Sequence, residues 1–462
     1  MEFRIEKDSI GSKKVPKDVY YGVQSLRGHE NFRISGLDLE ESFIKSLALV
    51  KKACAITNYE VGELKDNLKD AIVRACDDLL EGKYLDQFIL DPIQGGAGTS
   101  TNMNMNEVIA NIANEYLGYD KGLQYPVHPN DHVNMGQSTN DAIPTAGLIN
   151  CHLLLRECIE ELEKFKNALL VKGEEFEHVI KMGRTEMQDA VPISLGSEFT
   201  AYGRAVSRDI KRLEKRLDEV LIVNLGGTAI GTGINANKDY IKEVCINLNK
   251  LSGLNIRQAE DLVDSTQNAD TMAALSSDLK VCAINLSKIA GDLILMSSGP
   301  RTGFSEINLP AKQNGSSIMP GKVNPVMPEL LKQISFQIMG NDTTVTLATQ
   351  SGQLELNAFY PIILLNVFQS IRILKNGVRT FTENCVKGIE ANENTCKDLV
   401  EKSIGIVTAL APSLGYEKSA DIAKKALKFN KSVREVIKEE LGLSDDEIKK
   451  TLNIDKMVRI SG

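Results

Sequence analysis

The sequence predicts an all-α fold dominated by a bundle of long helices, and three observations support this. After Pro144, apolar or semi-apolar residues fall at Leu148, Cys151, Leu155, Cys158, Leu162, Phe165 and Leu169, with gaps of three and four and no miss. The series Met272, Leu275, Leu279, Cys282, Leu286, Ile289, Leu293 and Met296 repeats that spacing, and Ile210, Leu213, Leu217 and Val220 give a shorter case. No region reads as strand-dominated, as low in complexity, or as an internal repeat. A sustained 3-4 stripe is the sequence form of helices packed at shallow angles.

In chain order, residues 1–138 form an N-terminal segment, irregular at first and then helical, with helical spacing over 47–59 and 68–80. A Gly-rich turn from Gln94, QGGAGTSTNMN, leads into a helix from Glu107 onward, and a second polar loop over 128–145 ends at another helix start. Residues 139–391 form the central long-helix segment, broken by polar Gly/Pro stretches at 182–192, 224–235 and 297–324. Small residues such as Ala269, Ala273 and Ala274 occupy other helix faces. Helices of this kind need partners on more than one side, which predicts an oligomer whose bundle crosses subunit boundaries. After Gly377 the pattern shortens, with turn signals at Pro412 and Gly415, and 392–462 reads as a small C-terminal helical domain.

The chain has 462 residues, 42% hydrophobic and 25% charged, enough to bury a substantial core. A net charge of −8, with no basic stretch interleaved with aromatics, argues against general nucleic-acid binding. The opening MEFRIEKDSIGSKK lacks the apolar core of a signal peptide, and the longest apolar stretches fall well short of a bilayer span. Eight scattered cysteines without a CxxC pair read as buried reduced thiols, which places the protein in the cytoplasm.

Residues 315–324, GSSIMPGKVN, gather the hydroxyls of Ser316 and Ser317, the ammonium of Lys322 and the amide of Asn324. Glycines let backbone N–H groups approach a ligand closely, and Pro325 opens a helix. Such a set suits an anion, most simply a carboxylate. A lone turn of this composition also reads as plain surface. Three further polar loops tip the balance: Gly98 to Asn102, Ser138-Thr139-Asn140, and GRTEMQD over 183–189. All are rich in hydroxyls and amides, the donors a small dianion needs. Each isolated Thr or Ser reads equally as a helix cap, and capping and binding are compatible. His128 and His132 have the spacing of a metal pair, but no further ligand follows, so no metal site is expected.

These blocks resemble the aspartase/fumarase superfamily. GSSIMPGKVNP matches its signature, and HPNDHVN, GRTEMQDAVP and NLGGTAIGTGIN match its other blocks, in order over nearly the whole chain. Within it the chain resembles the aspartate ammonia-lyases (aspartases), through YYGVQSLRGHENF, GGAGTSTNMN, SEINLP, VMPE and SIGIVTALAP. Gly321 and LGYEKSADIAKKA have a fumarase character.

The resemblance implies reversible elimination of ammonia from L-aspartate to give fumarate, with no organic cofactor, and leaves divalent-cation activation open. It also implies a three-domain all-α subunit in a homotetramer built on a shared helix bundle, with each active site drawing loops from three subunits. By matching position, Ser316 is the base that removes the Cβ proton and Ser317 a neighbouring substrate contact. Lys322, Asn324 and Thr185 match groups that hold the α-carboxylate. Thr99, Ser138 and Thr139 match donors to the β-carboxylate, and Asn140 lies near the amino group. The chemistry calls for such a set, because deprotonation beside a carboxylate places a second negative charge on it. Each preorganised donor to that aci-carboxylate is worth roughly 3–4 kcal/mol.

One position departs from the family. Fumarases carry histidine where Glu186 stands, pairing with a glutamate that matches Glu329. Losing that histidine hurts an alcohol leaving group, which needs a proton, more than an ammonium leaving as ammonia. Glu186 is therefore expected to face the substrate ammonium, and if Glu329 lies close by, one of the two carboxylates holds a proton. Alternative readings are a fumarate hydratase, an enzyme for larger N-substituted aspartates, or a non-catalytic structural protein on the same scaffold.

Overall fold

The computed structural model of the protein describes residues 2–452 and 458. A hairpin of β1 (Phe3–Asp8) and β2 (Gly11–Pro16) opens the chain. Helices follow: α1 (Val23–Asn31), α2 (Glu41–Glu60), α3 (Asp66–Leu80), α4 (Thr99–Tyr116) and the long α5 (Thr139–Glu175). A second antiparallel hairpin, β3 (Ile180–Thr185) and β4 (Gln188–Ser194), runs into α6 (Leu195–Glu219). Then come α7 (Lys238–Ser252), α8 (Leu262–Gln267), α9 (Asp270–Met296), α10 (Val326–Gln350) and α11 (Tyr360–Asn384). The C-terminal segment holds α12 (Glu393–Lys402), α13 (Ala411–Leu414), α14 (Tyr416–Phe429), α15 (Val433–Leu441) and α16 (Asp445–Thr451). The fold is all-α with minor strand pairings, as the stripes require.

Every residue of the two long stripes is buried, from Leu148 to Leu169 on α5 and from Met272 to Met296 on α9. At about 1.5–3 kcal/mol per buried aliphatic side chain, these stripes dominate what holds the long helices in place. The chain divides into two compact units: 1–159 with 211–281 and 336–374, and 160–210 with 282–335 and 375–462. The first packs α2 on α3 and α7, and α4 on α1 and α3. Within it, the buried carboxylate of Glu107 on α4 accepts N–H groups of Gly22 (2.9 Å), Gln24 (2.8 Å) and Ser25 (3.0 Å), capping α1 from outside. In the second, α12–α16 close on an apolar cluster that includes Val400, Ile406, Leu410, Ile437 and, from β3, Met182.

Local differences from the sequence reading have clear causes. Residues expected to be irregular before Val23 form a hairpin whose covered face carries Glu6 and Val15, so no apolar alternation marks it. The break at 182–192 is also a hairpin. Its turn residues, Glu186 and Met187, take φ of 53° and 64° without the Gly or Asn that usually announces such a turn. Helix α4 begins at Thr99, ahead of Glu107, because Gly98 at φ 93° ends the preceding loop there.

Helix α10 leaves an apolar stripe uncovered in the single chain: Phe336 is 57% and Leu347 54% exposed. Gly340 lies between them with open space where a Cβ would stand. Among the described residues no helix is long and apolar enough to cross a membrane. All eight cysteines are buried.

Candidate active site

Thr99, Ser138, Thr139 and Asn140 belong to the first compact unit, where two helix starts present them. Gly96, Ala97 and Gly98 all have positive φ, and this tight turn delivers Thr99 as the first residue of α4. The Thr99 backbone N–H (2.9 Å) and hydroxyl (2.7 Å) both donate to Gly96 O. Gln94 Oε1 accepts from the N–H and hydroxyl of Thr101, at 3.2 and 3.0 Å. The side chain of Thr99 is left exposed.

At the start of α5, Ser138 Oγ accepts from Asn140 N (3.2 Å) while Asp141 Oδ1 accepts from Ser138 N (2.9 Å). Pro144 lacks an N–H to offer Asn140 O, and Asn224 Nδ2 donates to that carbonyl instead at 2.9 Å. Asn140 Nδ2 donates to Ala229 O at 2.7 Å. Asp141 Oδ2 accepts from Gly226 N (3.1 Å) and Thr228 N (3.0 Å). The block around 224–235 is thus the clamp that fixes Ser138, Thr139 and Asn140.

Sequence reasoning missed Lys51. It is fully buried on α2, and its ammonium donates to Asn102 Oδ1 (2.7 Å), Asn134 Oδ1 (3.0 Å) and Gln137 Oε1 (2.7 Å). One cation therefore joins the first turn of α4 to the turn that precedes α5. Burial pulls the Lys51 ammonium down to about 8 and pushes the Asp141 carboxyl up to about 6. The signal was present: Leu47, Lys51, Cys54 and Asn58 form a 4-3-4 stripe, and a lysine on a buried face has a polar partner.

Thr185, Glu186, Ser316, Ser317, Lys322, Asn324 and Glu329 belong to the second unit. Thr185 ends β3, and the turn behind it projects both Thr185 and Glu186 to solvent. Arg184 donates to Glu306 Oε1 (2.7 Å), and Asp189 accepts from Ser403 Oγ (2.7 Å). Each of these two residues holds the hairpin to its own unit. The carboxylates of Glu186 and Glu329 are exposed, and neither has a hydrogen-bond or ionic partner among the described residues.

The 315–324 loop closes on itself: Gly315 N donates to Lys322 O (3.0 Å) and Asn324 Nδ2 to Gly315 O (2.7 Å). A cavity of about 520 Å³ lies along 311–323. Ser316 Oγ accepts from Ile318 N (3.2 Å) and Met319 N (3.0 Å). Two N–H groups aimed at one hydroxyl oxygen are what a serine alkoxide needs. Ser317 and the Lys322 ammonium are exposed at the same loop.

His128 Nδ1 accepts from Asp131 N (3.1 Å) and His132 Nδ1 from His128 N (2.9 Å), so both rings turn to nearby backbone. Among the described residues no group of three or more His, Cys, Asp and Glu is arranged to hold a metal ion. Each set by itself offers hydroxyls and amides, and the second adds the Lys322 ammonium and a serine hydroxyl that accepts two N–H groups.

Comparison with known proteins follows that chemistry. Residues 11–340 match the family described as "Lyase", and 406–459 match "Fumarase C C-terminus". The chain is 53% identical over 458 residues to the protein named "Aspartate ammonia-lyase" of Bacillus subtilis (strain 168), covering 99% of this chain and 96% of that one. It is 50% identical over 447 residues to the protein of the same name from Helicobacter pylori (strain ATCC 700392 / 26695), covering 96% of each. Among solved structures, the fumarate lyase:delta crystallin from Brucella melitensis bound to cobalt superposes with a TM-score of 0.97 at 46% identity, covering 99% of this chain and 100% of that one. The class II fumarase from Schistosoma mansoni gives 0.96 at 36% identity, covering 100% of both.

Proposed function

Because the chain belongs to the lyase family that includes the aspartases and fumarases, we propose that it is an aspartate ammonia-lyase, eliminating ammonia from L-aspartate to give fumarate. The observation that carries this reading is the likeness, along nearly the full chain, to proteins named for that activity. The local geometry supports the roles assigned to individual residues.

Ser316, as the alkoxide favoured by its two N–H contacts, takes the Cβ proton. The electron pair from that C–H bond moves into the β-carboxylate, which Thr99, Ser138 and Thr139 meet with their hydroxyls. Neutral donors of this kind strengthen as charge develops, without the ground-state grip of a second cation. Lys322, Asn324, Thr185 and Ser317 hold the α-carboxylate end, and Asn140 lies beside the amino group. Collapse of the aci-carboxylate forms the C=C bond and breaks the Cα–N bond. Ammonia departs, and the proton on Ser316 balances it as ammonium. Glu186 faces the substrate ammonium; if Glu329 lies close by in the assembly, one of the two carboxylates holds a proton. No organic cofactor enters these steps, and activity with and without an added divalent cation decides whether such an ion activates them.

The assembly we propose is a homotetramer with each pocket drawn from three subunits. The uncovered Phe336 and Leu347 stripe on α10 favours a bundle completed by other copies. Segments 1–138, 139–391 and 392–462 serve as its three domains, the middle one supplying the shared bundle. Eight buried cysteines scattered without a CxxC pair favour a reducing compartment, the cytoplasm.

The test is ultraviolet detection of fumarate with aspartate and malate offered separately. Fumarate from aspartate is the expected result. Fumarate from malate alone would make the protein a hydratase, and none from either would favour the non-catalytic reading.

A further inference from the structure

Four charged side chains in the second unit form a closed, neutral set. Glu306 is fully buried; its Oε1 accepts from Arg184 Nη1 at 2.7 Å and its Oε2 lies 2.9 Å from Lys181 Nζ. That second contact is an ion pair without an aligned hydrogen bond. Lys181 also donates to both oxygens of Glu198, at 3.0 and 3.1 Å. Two cations thus meet two anions, and removing any one of them leaves a buried charge unbalanced.

We infer that Glu306 is a positioning residue for the elimination, setting the register between the strand that carries Thr185 and the base of the arm that carries Ser316. The inference rests on the activity proposed above. Arg184 is the immediate neighbour of Thr185, and a single short segment grips it twice. Its guanidinium lies over the Phe304 ring, 4.1 Å from the centroid, and its Nη1 meets the carboxylate of Glu306.

The segment itself is held firmly. Ser305 N donates to Ser298 O (2.9 Å), Glu306 N to Met296 O (2.8 Å), and Asn392 N to Glu306 O (2.9 Å). Opposite this grip, β3 has a register shift between Met182 and Arg184, so the strand ladder alone leaves the placement of Thr185 less determined. The buried carboxylate fills that gap. It also stands upstream of Ser316 on a continuous arm, so one side chain constrains both the α-carboxylate contact and the start of the catalytic loop.

A purely structural ion pair and a positioning one respond differently to neutral replacement. The double variant Arg184→Met with Glu306→Met removes one charge of each sign and leaves Lys181 paired with Glu198. Replacing a buried pair by apolar groups of similar volume keeps stability, so the melting temperature stays within about 5 °C of the wild type. The kcat/KM for aspartate nevertheless falls about 10- to 100-fold, the cost expected of a small misplacement of reacting groups. Arg184→Lys, which keeps the charge and loses the planar fork and its stacking, lowers kcat/KM about 10-fold.

A folded double variant with kcat/KM within about twofold of the wild type overturns the inference, as does a loss that matches the unfolded fraction seen by circular dichroism. If the double variant does not fold, Arg184→Lys decides on the same criteria. A wild type that makes no fumarate from aspartate counts against the proposed activity alone, and the variants are then compared on whichever substrate the wild type turns over.

Discussion

Lys51 and Asp141 are both fully buried, and among the described residues neither has an opposite charge within hydrogen-bond reach: the lysine meets three amide oxygens, the aspartate three backbone N–H groups. Desolvation dominates each, raising Asp141 to about 6 and lowering Lys51 to about 8. For Asp141, the folded state holds its proton more tightly than an unfolded chain, where an aspartate titrates near 3.9. Its contribution to stability is therefore full below about pH 4 and is lost as pH rises through about 6, an effect on the order of 2–3 kcal/mol. Lys51 acts with the opposite slope in a separate window, its contribution present above about pH 10 and lost as pH falls through about 8. Urea midpoints across pH 4 to 6 are expected to flatten in Asp141→Asn relative to the wild type; parallel profiles would show that Asp141 does not titrate in that range. Glu186 is the contrasting residue, exposed and without a side-chain partner among the described residues, so Glu186→Gln leaves the melting temperature unmoved. If it faces the substrate ammonium, the same change lowers kcat/KM for aspartate about 10-fold, the worth of a charge-assisted hydrogen bond. An unchanged kcat/KM rules out that contact.

At the level of elements, the 315–324 loop depends on one close approach. A Cβ on Gly315 would overlap the carbonyl of Lys322, the acceptor that closes the loop. Gly315→Ala is therefore expected to open the loop and lower kcat at least about 10-fold through the displaced Ser316. The melting temperature should change by no more than about 3 °C, since little core is involved; kinetics and calorimetry on one preparation separate the two effects. The loop was legible because its glycines, hydroxyls and lysine lie within ten residues of sequence, and the long helices because burial on one face wrote an unbroken apolar stripe. The hairpins were not. The opening hairpin covers a glutamate as well as a valine, and the one bearing Thr185 turns on Glu186 and Met187, which carry no turn signal. Lys51 was marked only by its place on an apolar stripe; the buried Glu306 and the partners of both escaped for a related reason. Those partners are distant in sequence, and no local pattern identifies which groups will meet a buried charge until the fold brings them together.

For the molecule as a whole, the distribution of candidate residues gives a sharp test of the proposed assembly. Thr99, Ser138, Thr139 and Asn140 lie on one compact unit and Ser316, Lys322 and Asn324 on the other, while α10 keeps Phe336 and Leu347 uncovered. If each pocket takes its β-carboxylate donors from one subunit and its base from another, a Thr99→Ala defect and a Ser316→Ala defect need not fall in the same pocket. Each homotetramer alone is expected to be impaired, the serine variant by about 10²–10⁴-fold in kcat. Coexpressed in equal amounts and assembled at random, the two chains should form hybrids in which about one quarter of the sites carry both wild-type residues. Activity near that fraction, in hybrids purified through different tags on the two chains, follows from sharing between subunits. If both residues of a site came from one chain, no site in any hybrid would be intact, and activity would stay at the level of the parents. Phe336→Asp with Leu347→Asp extends the same logic: charges on the α10 stripe should dissociate the assembly in sedimentation velocity, and activity should disappear with it because no single chain would then complete a pocket.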